Sequence, residues 1–157
     1  MATLRSALAA AALAAGCVSR AEGRFAPPVA GETWIGTRPA GPGLPVKGGW
    51  TLLVFFPLNA EACAPVGPNA GELAAMFGPK GLVTVGVTNV DRERTGAFLR
   101  EQGWTFPVLA EAQDVVSAWG IHVLDAPHTY LVDPAGVVLT QDDLPAAQGV
   151  LEQHLGR

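Results

Sequence analysis

The run Trp50-Thr51-Leu52-Leu53-Val54-Phe55-Phe56 most narrows what this chain can become. It carries no charge and does not alternate between polar and apolar residues, so it reads as a strand buried on both faces of a sheet. Pro57 ends it. A strand of that kind needs a covering layer on each side, and the following sequence supplies candidates. Ala64 to Phe77 is rich in small and apolar residues and reads as a helix interrupted by Pro68 and closed by Gly78-Pro79. Leu82 to Thr88 is a second buried strand. Asp91 to Gln102 is a polar helix with Phe98 and Leu99 turned inward, stopped by Gly103.

Further along, Trp104 to Leu109 reads as a short strand containing Pro107, and Gln113 to Trp119 as a short helix ended by Gly120. Thr129 to Val132 and Val137 to Thr140 flank Asp133-Pro134-Ala135-Gly136, a hairpin signal. Pro145 to Leu155 is expected to be a helix packed back on the sheet, and Trp34-Ile35 a short edge strand. Strands alternating with helices, then a hairpin and a helix, predict an α/β domain with a mixed central sheet and helices on both faces. At 157 residues one domain is expected. A net charge of -4 leaves no basic excess for a phosphate backbone, which argues against nucleic acid as a partner.

The first residues hold one cation, Arg5, then an alanine and leucine stretch from Ala7 to Ala15, then Gly16-Cys17. The stretch is shorter than the roughly 20 residues of a membrane-spanning helix and has the layout of an export signal. Residues 1–17 are therefore expected to be a signal peptide, 18–33 a Gly-, Pro- and Ala-rich linker, and 34–157 the folded domain. Leu13-Ala14-Ala15-Gly16-Cys17 resembles the bacterial lipoprotein signal, which implies lipidation of Cys17 and a membrane tether; Ala14 stands where that family usually has leucine. Ordinary signal-peptidase cleavage and an alanine-rich helical extension are the alternatives. Either processed form resides in the bacterial cell envelope, with Cys63 as its free thiol.

Three local patterns, in order, resemble the thioredoxin-like redoxins, which include envelope thiol-disulfide reductases and the AhpC/TSA family. They are Leu52 to Phe56 leading to Cys63 and Pro68; Gly81 to Thr88; and Ala126-Pro127-His128 running to Gly136. The resemblance implies the thioredoxin-like fold, with Cys63 capping the opening turn of a bent helix. It also implies a cis-proline at Pro127 beside Cys63, and a substrate groove that includes Pro57, Ala60, Ala126 and Pro127. No cofactor and no metal is implied.

The departures from the family bear on mechanism. Dithiol exchange needs an exposed low-pKa thiolate at the first position of the turn and a second thiol to resolve the mixed disulfide. Ala60 stands at the first position and Cys63 at the second, with Val54 where thioredoxins often keep a buried acid and Asn59 where they keep tryptophan. Self-contained dithiol exchange is excluded. A peroxidatic site of the peroxiredoxin type places its cysteine where Cys63 stands, but it also uses a hydroxyl three residues earlier and an arginine. Ala60 has no hydroxyl, Pro57 lies one residue nearer the cysteine than that family's proline, and Arg92, Arg94 and Arg100 have no position assigned by sequence.

Cys63 is thus either a small buried hydrophobe or the catalytic sulfur. A helix N-terminus would lower its pKa, whereas Glu61 and apolar burial would raise it. His128 is a candidate base or metal ligand for Cys63, against the simpler reading of a packed strand histidine; His122 and His154 carry less signal. The four tryptophans fit core or sheet-edge roles. Two functions follow. The first is a single-cysteine thiol oxidoreductase or antioxidant acting on peroxide or disulfide, resolved by an external thiol. The second is a catalytically silent binding module that holds a polypeptide between the Cys63 turn and Pro127.

Overall fold

The computed structural model describes residues 18–156, so the expected signal and Cys17 lie outside the described residues. Six strands form one sheet: β1 (Trp34–Ile35), β2 (Trp50–Phe55), β3 (Leu82–Val87), β4 (Val108–Leu109), β5 (His128–Val132) and β6 (Val138–Gln141). Their spatial order is β1-β4-β3-β2-β5-β6. The central strand β2 runs parallel to β3 and antiparallel to β5. Every residue of β2 is buried, as its unbroken apolar run requires.

Side chains alternate across β2 and divide the core in two. Leu52, Val54 and Phe56 face Cys63, Leu73, Phe77 and Leu151. That side is covered by α2 (Gly67–Phe77), α3 (Arg92–Gln102) and α5 (Leu144–Leu155). Leu53 and Phe55 face Val115, Trp119, Tyr130 and Val132 on the side of α4 (Gln113–Ala118). The helix starts follow local chemistry. Asp91 caps α3 by accepting from the Arg94 N–H at 2.9 Å, and Asp143 caps α5 by accepting from the Ala146 N–H at 3.0 Å.

The structure differs from expectation in three places. The helix expected over Ala64 to Phe77 is broken earlier: α1 (Ala60–Cys63) is a single turn, and Pro68 sits in the first turn of the separate α2 instead of kinking a continuous helix. A missing N–H costs nothing there, because the first turn has no intrahelical acceptor for it. The strand expected from Trp104 is reduced to Val108–Leu109, since Pro107 has no N–H to donate to a ladder. Residues 18–33, expected as a linker, lie along the domain. Val29 is buried in the α4-side core, Val18 bridges Ile121, and Phe25 bridges Val137.

Candidate functional site

Strands β2 and β3 end together at Phe55 and Val87, and in open α/β sheets that carboxyl edge is where ligands bind. The chain leaves β2 through Phe56, Pro57 and Leu58 and enters α1. Asn59 caps this turn, its side-chain oxygen accepting from the Ala62 N–H at 3.1 Å. Ala60 is exposed at the start of the turn. Cys63 is the last residue of α1, its own N–H bonded to the Asn59 carbonyl at 3.0 Å.

The sulfur points inward. Cys63 is 1% exposed and packs in the apolar cluster with Phe56, Ala70 and Leu73. Its thiol donates to the Pro57 carbonyl across 3.4 Å. Burial pushes the thiol pKa up, against a smaller lowering from the backbone hydrogen bond at Asn59. The expectation that Cys63 caps the opening turn of a bent helix is therefore corrected: it closes a one-turn helix and is turned away from solvent.

Pro127 meets the segment that follows Cys63, and the cleft they share is not lined by Pro57, Ala60, Cys63 or Ala126. Pro65, Val66 and Asn69 from the turn and α2 line one cleft of about 210 Å³ with Pro127, Thr129 and Asp142. Ala126 is half-buried next to it in sequence. The Ala126–Pro127 bond is trans, and the cis bond among the described residues is Leu44–Pro45. This corrects the cis-proline expectation and accords with the modest intrinsic preference of X–Pro bonds for trans.

The candidate base is placed on the wrong face. On β5, Leu131 belongs to the Cys63 side, while Tyr130 and Val132 belong to the α4 side. Alternation puts His128 with Tyr130, across the sheet from Cys63. His128 pairs instead with Asp142, Nδ1 to Oδ2 at 3.0 Å. The other oxygen of Asp142 accepts from the Thr129 N–H at 2.9 Å, and the residue adopts a φ of 54°. No local pattern marks Asp142, whose role depends on the β5–β6 pairing. Arg92 and Arg100 line a different cleft, beside Ile35 and Gly96, that holds none of the Cys63-turn residues.

A second polar feature lies behind the sheet. The rings of Tyr130 and Trp119 meet at 4.7 Å between centroids with their planes tilted by 50°, and both are buried. The Tyr130 hydroxyl and the Trp119 indole N–H have no hydrogen-bond partner among the described residues. Burial, and then the charge of Asp142, push the tyrosine pKa up. No group of three or more metal-ligating side chains occurs among the described residues.

A family model described as AhpC/TSA matches residues 43–141, which is more than half of the chain. No curated protein matches it in sequence. Among solved structures, the thioredoxin domain of a thiol-disulfide oxidoreductase from Bacteroides vulgatus is similar at 23% identity and a TM-score of 0.68, over 87% of this chain and 99% of that one. A thiol:disulfide interchange protein from Bacteroides sp. is similar at 21% identity and a TM-score of 0.67, over 90% and 93%. Peroxiredoxin Q from Xanthomonas campestris is similar at 20% identity and a TM-score of 0.56, over 69% and 81%. The expected fold is thereby met: a mixed sheet of thioredoxin-like type, shared with thiol-disulfide oxidoreductases and peroxiredoxins.

Proposed function

The chain belongs to the AhpC/TSA family, and from that premise we propose that it is an exported single-thiol redoxin that reacts through Cys63 only when the α1 turn opens. The observation that carries the reading is the position of Cys63 in the turn that closes the carboxyl edge of β2, next to the cleft that reaches Pro127. At rest the thiol is buried, protonated and bonded to the Pro57 carbonyl. Opening of a four-residue helix exposes it at small cost, since one turn of helix has little stability of its own.

Once exposed and ionised, the thiolate attacks one peroxide oxygen. The O–O bond breaks, Cys63 becomes a sulfenic acid, and hydroxide leaves. An external thiol then condenses with the sulfenic acid, forming a mixed disulfide and releasing water. A second external thiol attacks that disulfide, which restores the Cys63 thiol and yields the oxidised external pair. With Ala60 at the first position of the turn, the resolving sulfur comes from outside the turn. Export, with attachment through Cys17, belongs to the same reading and rests on the Ala7–Cys17 pattern.

A second reading is favoured by the 1% exposure of Cys63 together with Ala60: a module without redox chemistry that holds a polypeptide in the Pro127 cleft. One experiment separates them. The native protein is treated with iodoacetamide across pH and with hydrogen peroxide, and the mass of the Cys63 peptide is read. Slow alkylation and an added oxygen that a small thiol removes are expected. A native protein inert to both reagents, beside an unfolded sample that reacts fully, would overturn the redox reading and support the silent one.

A further inference from the structure

The N-terminal segment is held against the domain. Val18 bridges Ile121, and the Ser19 N–H donates to the Gly120 carbonyl at 3.2 Å. Further along, the Gly23 N–H donates to the Val138 carbonyl at 2.8 Å, and the Val138 N–H donates back to the Arg24 carbonyl at 2.9 Å. Between these anchors the chain turns: the Arg24 N–H donates to the Ala21 carbonyl at 3.0 Å, with Gly23 at a φ of 79°.

This turn sorts the charges. Glu22 occupies its tip, while Arg20 and Arg24 fold onto the same cleft of about 190 Å³, with Ser19, Gly120 and Phe25 in its wall and no acidic residue. Both arginines are exposed, and neither forms an ion pair among the described residues. Phe25 is 78% exposed, more than any other large exposed hydrophobic residue of the described chain.

Two free guanidinium groups beside an exposed aromatic ring suit the boundary between phospholipid headgroups and acyl chains. The sequence before Val18 carries the apolar Ala7–Ala15 stretch and Cys17. A lipid on Cys17 would therefore enter the bilayer about one residue, ~3.8 Å, from a residue bonded to the domain. No free linker separates the two. We propose that the face formed by Arg20, Arg24 and Phe25 rests on an anionic phospholipid bilayer, so that attachment fixes the domain's orientation instead of suspending it on a tether. The chain is acidic overall, so an anionic surface repels its other faces and selects this one. The inference rests on the export reading above and is independent of Cys63 chemistry.

The test uses the full chain as a bacterial host produces it, combined with vesicles of phosphatidylglycerol and phosphatidylcholine. Modification of each arginine by phenylglyoxal is followed by mass spectrometry. Arg20 and Arg24 are expected to react at least about fivefold more slowly on vesicles than in detergent, while Arg92 and Arg100 react alike in both. In Arg20→Glu, which the lipid still holds on the vesicles, the protection of Arg24 is expected to fall toward its rate in detergent. Equal rates at all four arginines would overturn the inference, as would a chain that stays soluble and does not float. Equal protection by inorganic phosphate in detergent would also overturn it, assigning the cleft to a soluble anion. Cys63 does not enter any of these readouts, so an unreactive thiol would sink the redox reading while leaving this one supported by arginine protection.

Discussion

The Cys63 thiol donates to the carbonyl of Pro57 across 3.4 Å, which ties the end of α1 to the exit of the central strand. The bond requires the proton. Burial has already raised the thiol pKa, so ionisation in the folded state would strand a charge in the apolar cluster and remove this donor. A group with a raised folded pKa contributes stability that is intact below its unfolded value and is lost as pH climbs above it. For a thiol that loss begins near about pH 8.5. The urea midpoint is expected to fall from there upward, and Cys63→Ala to flatten that slope. An identical slope in the variant would disprove the assignment.

The Ala60→Cys variant tests whether the turn keeps the geometry of a dithiol site. Residues 60 and 63 lie three apart on one helical turn and are neighbours on its surface. An added thiol at the exposed position 60 supplies the attacking group, and Cys63 the buried resolving one. Mild oxidation is expected to remove two hydrogens from the variant and none from the parent, and reduction of insulin disulfides should appear only in the variant. Two thiols that persist under oxidised glutathione would show that the turn does not bring the sulfurs together.

Packing beneath the turn is tight at Gly67, where a Cβ would lie 2.1 Å from the indole nitrogen of Trp104. Trp104 is itself wedged between Phe56, Phe98 and Phe106 by ring contacts of 4.8 to 5.6 Å. It has little room to move. Gly67→Ala is expected to destabilise the fold by about 1–3 kcal/mol through overpacking, well beyond its gain in helix propensity. Urea unfolding should show a lower midpoint with an unchanged m-value. A midpoint at or above that of the parent would show that the tryptophan can yield.

How much of this was legible beforehand depends on whether the signal is local. Trp50 to Phe56 announces a doubly buried strand through its own composition, and Asp133 to Gly136 announces a hairpin through turn chemistry. Both elements stand where the sequence puts them. The Cys63 turn was legible only in outline. Its spacing to Pro68 marks a turn leading to a helix, but whether the sulfur faces water or core depends on where α2 packs, which no local pattern encodes. His128 failed for a similar reason. It neighbours Pro127 in the chain, yet strand alternation carries its ring to the opposite face, where Asp142, the residue after β6, meets it. Pairs made by sheet registry are invisible until the registry is known.

Behind the sheet, Tyr130→Phe tests the cost of an unpartnered hydroxyl. The group is buried, has no hydrogen-bond partner among the described residues, and loses its water on folding without compensation. Removing only the oxygen keeps the ring contacts with Phe55 and Trp119. The variant is expected to be as stable as the parent or up to about 1 kcal/mol more stable, measured by urea unfolding. A loss of more than about 1 kcal/mol would mean that the hydroxyl is bonded in solution.

Asp142 carries the last prediction because two demands meet in one residue. Its φ of 54° is a left-handed conformation that asparagine and aspartate tolerate better than alanine. Its carboxylate accepts from the Thr129 N–H and pairs with His128. Asp142→Asn keeps an oxygen for Thr129 and an acceptable backbone, so it should cost under about 1 kcal/mol. Asp142→Ala loses both partners and keeps the strained φ, so it should cost about 2 kcal/mol or more. Asp142→Gly relieves the backbone but leaves the Thr129 N–H unpaired, and it should fall between them. A glycine variant with a urea midpoint at or above that of asparagine would show that the conformation, and not the side-chain oxygen, holds β5 to β6 beside the Pro127 cleft.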